Sequence, residues 1–504
     1  MSKDESKENQ ESVSGQRTVE QALDLALQEH NAGRLAEAQD LYQTVLEDEP
    51  DHPVALHLLG VIAHQTGKNE VAEDFIARAI SLNPDYTEAH NNLGIVLQKL
   101  GKLEDAALCC RKAIALNPEY GEAYNNLGIV LQEMGRLEEA ASSYEKALSI
   151  GPDPEVHANL GSAYQELGQL DAAVASFKNA LALHPEFIEA HNYLGNAFEE
   201  LGQLDNAVIS YREAIALKPD FPGAHYNLGS SLQKMGEYES AVYNYQEADT
   251  GDARAKLLEC LYHLEKYEDL KDVLENHAEA DKDNLLVAAI SVFTSHQLDH
   301  ENPHPFCKNP LDFVRVGKIA DRPEEIDGLI DGVLEDLEDV YAVWEPPSVS
   351  TIEGYQTPGN LFANPQGNVA KLNTIIKREI AAYHSEFKSK GGLFMEQWPS
   401  EHRLRGWMVR LFKGGHQTGH IHPGGWISGV IYLKLPKPSD GEEGCIEFNL
   451  GGYSLPRLKE QWLTKVHRPQ KGQIVLFPSS LFHRTIPTTT DEERIAISFD
   501  LYPA

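Results

Sequence analysis

Proline recurs through the first half of the chain at a nearly constant step. It stands at Pro50, Pro84, Pro118, Pro152, Pro185 and Pro219, at intervals of 34, 34, 34, 33 and 34 residues. Repetition on this scale restricts the region to stacked units that bury their apolar faces only on one another. A Leu-Gly pair keeps the same step, at Leu59-Gly60, Leu93-Gly94, Leu127-Gly128, Leu160-Gly161, Leu194-Gly195 and Leu228-Gly229. A residue without a side chain at that point predicts a close approach of two helices. A second glycine, at Gly33, Gly67, Gly101, Gly135, Gly168, Gly202 and Gly236, falls where the first helix of each unit should stop. Glycine suits that place because a helix commonly ends on a left-handed residue. The proline then closes the second helix. Between these marks, runs such as LEDAALCCRKAIALNP and LEEAASSYEKALSIGP space their apolar residues as a helix does.

These residues resemble the tetratricopeptide repeat, over roughly residues 17–252 and about seven units. The resemblance implies a superhelix of helix pairs whose concave groove binds a protein or peptide. Asparagine precedes the Leu-Gly pair at Asn92, Asn126, Asn159 and Asn227, while Tyr193 interrupts the series. Carboxamides in a row can donate to and accept from an extended peptide backbone, and a similar asparagine ladder belongs to the O-linked N-acetylglucosamine transferases. The competing reading is that these asparagines follow the repeat consensus and face solvent or neighbouring helices. A glycosyltransferase is excluded, because no βαβ pattern with a glycine-rich phosphate loop follows the repeats. The run ARAKLLECLYHLEKYEDLKDVLENHAEA reads as two amphipathic helices, so residues 253–300 are expected to form a helical cap and linker.

Composition bounds the partners. The chain of 504 residues carries 78 acidic and 43 basic side chains, a formal charge of −35 that repels phosphate backbones and argues against nucleic acid. No run approaches the roughly 18 apolar residues of a membrane span, and residues 1–16 are polar and expected to be disordered. Cys109, Cys110, Cys260, Cys307 and Cys445 lack the spacing of a zinc site or disulfide framework, and read as packing residues in a reducing, cytoplasmic protein.

From Arg405 the helical spacing gives way to short runs bounded by glycine and proline: RGWMVRLFK, GWISGVIYLKL, GCIEFNL, GQIVLFP and RIAISFDLY. These predict antiparallel strands of a jelly roll or similar double-stranded β-helix, braced by the helix KLNTIIKREIAAYHSEF. His416, His420 and His422 crowd into seven residues, and His483 and Arg494 follow. With His420 and His422 at the end of one strand, the period of two turns both to the same side. Imidazoles so placed suit a redox metal such as Fe(II). His416 is expected to face solvent or to support the others, and Trp426 and Tyr432 to share a strand face as core or pocket lining.

The run HIHPGGWISGVIYL, followed by GQIVLFPSSLFHRTIP and RIAISFD, resembles the Fe(II)/2-oxoglutarate-dependent dioxygenases, in a bacterial branch often fused to tetratricopeptide repeats. The resemblance spans about Asn302 to Pro503. It implies Fe(II), with 2-oxoglutarate and O2 as co-substrates, and hydroxylation of a substrate with release of succinate and CO2. His483 and His422 match the iron ligands. The usual carboxylate is missing, which leaves two arrangements open: His420, His422 and His483 as a three-histidine face, or His422 and His483 alone with Gly424 in the carboxylate slot. Arg494, eleven residues after His483, matches the anchor of the far carboxylate of 2-oxoglutarate, shared with Ser498, and Tyr432 is a further candidate at the co-substrate site. The whole chain is therefore expected to be multidomain: an all-α tetratricopeptide superhelix, then a double-stranded β-helix (jelly-roll) domain with bracing helices at residues 301–504. Its expected activity is hydroxylation of a polypeptide presented by the repeats. The alternatives are a small-molecule substrate with the repeats used for docking, and a repeat scaffold without turnover.

Overall fold

The computed structural model describes residues 18–346, 349–437, 441–451, 455–459 and 463–503. The polar stretch 1–16 lies outside them. The chain forms two compact units, Met1–Pro219 and Asp220–Ala504.

The first unit is a succession of helix pairs, for example Pro53–Gln65 with Asn69–Leu82 and Gly121–Glu133 with Leu137–Ile150. The two series of glycines serve the two purposes their spacing suggested. Gly67 is left-handed at φ 77°. Its N–H donates to the carbonyl of His64, and the next N–H, of Lys68, donates to Ala63 at 2.8 Å. These two bonds satisfy carbonyls that the helix end leaves open. The Leu-Gly glycines instead make room. A Cβ at Gly128 would lie 2.5 Å from the Tyr144 ring, and one at Gly161 would lie 2.6 Å from Phe177. Tyr144 and Phe177 are fully buried there, so each aromatic ring fills the space that its glycine leaves.

His57 sits inside this array, 3% exposed, its Nδ1 2.9 Å from the Tyr86 hydroxyl and its Nε2 2.8 Å from the Asn92 carboxamide. Burial lowers its pKa from 6.5 to about 4. The unfolded chain therefore binds a proton that the folded chain refuses between those values, and stability must fall as pH drops from 6.5 toward 4. The full loss is about 3 kcal/mol at 1.36 kcal/mol per pH unit. Urea titrations of the wild type and of His57→Gln across this window should show the steeper acid loss in the wild type. Parallel curves would contradict the assignment.

The second unit opens with the last recognisable pair, Pro222–Lys234 and Tyr238–Ala248. The two expected cap helices follow as Gly251–His263 and Tyr267–His277. A third helix, Leu285–Leu298, fills the part of this stretch expected to be a linker. It is apolar on nearly every side and almost entirely buried, so it carries no amphipathic signature.

Among the described residues ten strands build the β portion: β1 Arg315–Lys318, β2 Val343–Trp344, β3 Thr351–Gln356, β4 His402–Gln417, β5 Ile427–Lys434, β6 Ile446–Asn449, β7 Thr464–His467, β8 Gln473–Pro478, β9 Phe482–Thr485 and β10 Arg494–Pro503. They form two antiparallel sheets, ordered β1-β8-β5-β10-β4-β3-β2 and β7-β6-β9. All five expected strands are present. Their alternation divides two apolar clusters. Ile427, Ile431, Ile495, Ile497 and Phe499 face away from the small sheet and pack with Leu372, Ile376 and Ile380 of the bracing helix Gly367–Phe387. Val430, Tyr432 and Ala496 turn to the other face and meet Ile446 and Phe448 of the small sheet. Both faces of the central strands are covered, so they read as nearly continuous apolar runs. On β10 this period of two puts Arg494, Ser498 and Asp500 on the face between the sheets.

Trp426 departs from expectation. It precedes β5, and its ring joins the cluster under the bracing helix, with Nε1 donating to the Phe394 carbonyl at 3.1 Å. Tyr432 lies in the other cluster, so the two aromatics do not share a strand face.

Candidate metal and co-substrate site

The histidines arrive by a different route from the one their spacing suggested. β4 ends at Gln417, and His420 and His422 lie in the turn beyond it rather than on a strand. His420 is fixed by two backbone hydrogen bonds with His483, each 3.1 Å, and the His422 N–H donates to the Ser479 carbonyl at 3.0 Å. His483 belongs to a short strand of its own, β9, in the small sheet. This lacing brings one potential ligand atom from each of His420, His422 and His483 within 4.8 Å of the others.

The other ring nitrogens decide what those atoms can do. Nδ1 of His420 lies 2.6 Å from the Thr418 carbonyl, Nδ1 of His483 lies 3.1 Å from the Leu481 carbonyl, and Nδ1 of His422 lies 2.8 Å from Oδ2 of Asp500. A carbonyl or carboxylate only accepts, so each Nδ1 carries a proton, and in the neutral ring Nε2 keeps its lone pair. Burial, followed by the neighbouring His422, lowers the pKa of His420 to about 4, and burial pushes that of His483 well below 6.5. Neutral imidazoles are the form in which histidine binds a metal.

Asp500 escapes a search that looks for a carboxylate beside the histidines in sequence. It is 1% exposed, and besides His422 it accepts from Ser428 Oγ at 2.6 Å and from the Tyr502 hydroxyl at 3.3 Å. Its signal was the alternation of β10, which carries the face of Arg494 and Ser498 two residues further. Trp407, also missed, stacks on His422 with centroids 5.6 Å apart and planes 19° from parallel.

A narrow cavity joins the histidines to Arg494, with Gln417, Ser428 and Ser498 in its wall. Arg494 is 1% exposed, and its Nε and Nη1 find no hydrogen-bond partner among the described residues. Its guanidinium carbon lies 5.1 Å from the centroid of the Tyr432 ring. Burial pulls its pKa down, yet arginine stays charged in proteins. A buried cation with unused donors is costly unless an anion completes it. Tyr432 stands beside the guanidinium and is not among the cavity-lining residues. His416 is apart from the three histidines, its Nδ1 on the Gly414 carbonyl. Gly424 lines the outer mouth, where a Cβ would come 3.0 Å from Tyr502.

Residues 405–500 match the family described as "Putative 2OG-Fe(II) oxygenase", and residues 222–250 match the tetratricopeptide repeat. The chain joins tetratricopeptide repeats to a 2OG-Fe(II) oxygenase-family domain. That domain's match begins at Arg405 and ends on Asp500, and so contains all three histidines and Arg494. Residues 1–235 also match the C-terminal domain of cilia and flagella-associated protein 70. Among solved structures, MamA is 25% identical over 31% of this chain and 92% of its own, with a TM-score of 0.30. YrrB, described as a TPR protein with an unusual peptide-binding site, is 25% identical over 34% of this chain and 90% of its own, with a TM-score of 0.31. A tetratricopeptide repeat protein from Parabacteroides merdae is 16% identical over 47% of this chain and 97% of its own, at 0.39. No curated protein matches the chain.

Asn92, Asn126 and Asn159, ahead of their Leu-Gly pairs, contact the preceding repeat. Asn92 Nδ2 lies on His57, Asn126 Nδ2 donates to Asn91 Oδ1 at 2.9 Å, and Asn159 Nδ2 donates to Asn125 Oδ1 at 3.1 Å. Tyr193, in the same slot, is 41% exposed and lies against Phe177.

Proposed function

We propose that this chain is an Fe(II)- and 2-oxoglutarate-dependent oxygenase that hydroxylates a polypeptide held by its repeats. The observation that carries the reading is the buried guanidinium of Arg494, its Nε and Nη1 unpartnered among the described residues, at the end of a cavity that begins at the three histidines. A dicarboxylate fits that cavity chemically, with one end for a metal and the other for an arginine fork. His420, His422 and His483 would hold Fe(II), and Arg494 with Ser498 would hold the far carboxylate of 2-oxoglutarate. When bound, the metal and co-substrate supply a two-electron oxidation by O2 that releases succinate and CO2 and places one oxygen atom in a substrate C–H bond. The protein's own part is positional. Thr418, Leu481 and Asp500 fix the three imidazole tautomers, and Val430, Ile446 and Phe477 keep the cavity wall apolar.

For the polypeptide, the Oδ1 atoms of Asn92, Asn126 and Asn159 are available to accept backbone N–H groups once their Nδ2 atoms are committed, and Asn227 continues the series by position. Free cysteines, four of them buried, fit a reducing cytoplasm, and among the described residues no helix is long and apolar enough to cross a membrane.

The test is succinate formation by anaerobically purified protein given Fe(II), 2-oxoglutarate and O2, beside His483→Ala and Arg494→Ala. Succinate from the wild type, lost in both variants, is the expected result. A wild type that forms none and binds no Fe(II) would leave the repeats as a scaffold.

A further inference from the structure

Outside the histidine cavity the large sheet carries a second feature. The register sets Arg403 beside Tyr502, Arg405 beside Asp500 and Trp407 beside Ser498. Leu404 and Met408, at the intervening positions, go into the core, so Arg403, Arg405 and Trp407 form one row on the opposite face. This row lies in two adjoining cavities that share Arg405 and Tyr502. One, of about 600 Å³, reaches Trp407 and His422; the other, of about 540 Å³, reaches Arg403, His402 and Lys377.

The charge of the row runs against that of the chain. Acidic residues outnumber basic ones 78 to 43 overall. In the two cavities the cations are Lys377, Arg403 and Arg405, and the one carboxylate is Asp500, already engaged by His422, Ser428 and Tyr502. Elsewhere in the domain, Arg315, Arg410, Arg484 and Lys434 each find a carboxylate. Lys377, Arg403 and Arg405 make no ion pair among the described residues. Exposed cations without carboxylate partners along one strand are complementary to an extended polypeptide with acidic side chains.

We infer that this trough is the substrate channel and that its occupant is an acidic polypeptide segment, whose carboxylates pair with Arg405 and with Arg403 or Lys377. Residues two apart on a strand are about 6.6 Å apart along it, so these cations hold the segment about 7 and 13 Å of strand beyond Trp407. The side chain presented beside His422 is therefore about two to four residues along the segment from its anchoring carboxylates. The inference rests on the oxygenase reading only for what happens to the bound segment.

The experiment uses the full chain and fluorescein-labelled poly-L-glutamate, read by anisotropy at about 20 mM salt, where screening is weak. The net charge of the chain opposes this probe, so binding must come from a local cationic site. Wild type is expected to bind it, Arg403→Glu/Arg405→Glu at least tenfold more weakly with an unchanged melting temperature, and Arg405→Lys nearly as well as wild type. Equal affinity of wild type and the double variant, or no binding by wild type, overturns the inference. Co(II) uptake by the same wild-type sample separates the two claims. A wild type that takes up Co(II) but not poly-L-glutamate loses only the acidic substrate, and one that binds poly-L-glutamate but no Co(II) keeps the trough and loses the oxygenase.

Discussion

Arg494→Met is expected to raise the melting temperature of the chain while abolishing its affinity for 2-oxoglutarate. Arg494 is 1% exposed and leaves Nε and Nη1 unpaired, so in the unliganded protein it costs desolvation without full return. Replacing a poorly compensated buried charge by an apolar side chain of similar length typically stabilises by about 1–4 kcal/mol. The same change removes a charge-assisted fork for a carboxylate. Losing one side of such a buried pair costs about 2–5 kcal/mol, or roughly 30- to 5,000-fold in affinity. Thermal melts of wild type and variant, each with and without saturating 2-oxoglutarate and Mn(II), read both effects together. Stabilisation of the wild type by 2-oxoglutarate should vanish in the variant, whose unliganded form should already melt higher. A variant that melts lower and still responds to 2-oxoglutarate would show that Arg494 has a structural role and that the co-substrate lies elsewhere.

The second large effect is expected at Asp500. Its carboxylate accepts from His422 Nδ1 at 2.8 Å and thereby holds the Nε2 lone pair toward the other two histidines. Partners of this kind, behind a metal-bound imidazole, are typically worth about 10- to 100-fold in metal affinity. Asp500→Ala should weaken Co(II) binding by that factor. Asp500→Asn keeps an acceptor oxygen, so its loss should be smaller. The shift in Co(II) absorption separates this role from a packing role, because a merely loosened core would lower the melting temperature of both variants without ordering their affinities. Equal affinity in wild type and Asp500→Ala would remove Asp500 from the site.

What the sequence made legible follows from how local each signal is. The repeats were legible because period, glycine and proline are local and recur, and the left-handed Gly67 and the crowding at Gly128 and Gly161 are what such markers require. The central strands were legible as strands. The edge strands β1, β2 and β7 fully bury none of their residues, unlike the equally short β6, and so carry no apolar run to register. The site residues on β10 followed from the same period of two. Applied one step further, that period reaches Asp500, the carboxylate behind His422. The turn positions of His420 and His422 could not be read, because their orientation comes from hydrogen bonds to His483 and Ser479, about 60 residues away in sequence. The contacts of Asn92 with His57 and of Asn126 with Asn91 depend in the same way on the stacking of one repeat on the next.

Anaerobic titration of the chain with Fe(II) in the presence of 2-oxoglutarate tests the central claim most directly. Chelation of ferrous iron by the 2-oxo acid gives a visible charge-transfer band that neither component shows alone. The account predicts a band that saturates at one iron per chain and is absent from His483→Ala. No band in the wild type, or one that survives the loss of His483, would contradict it.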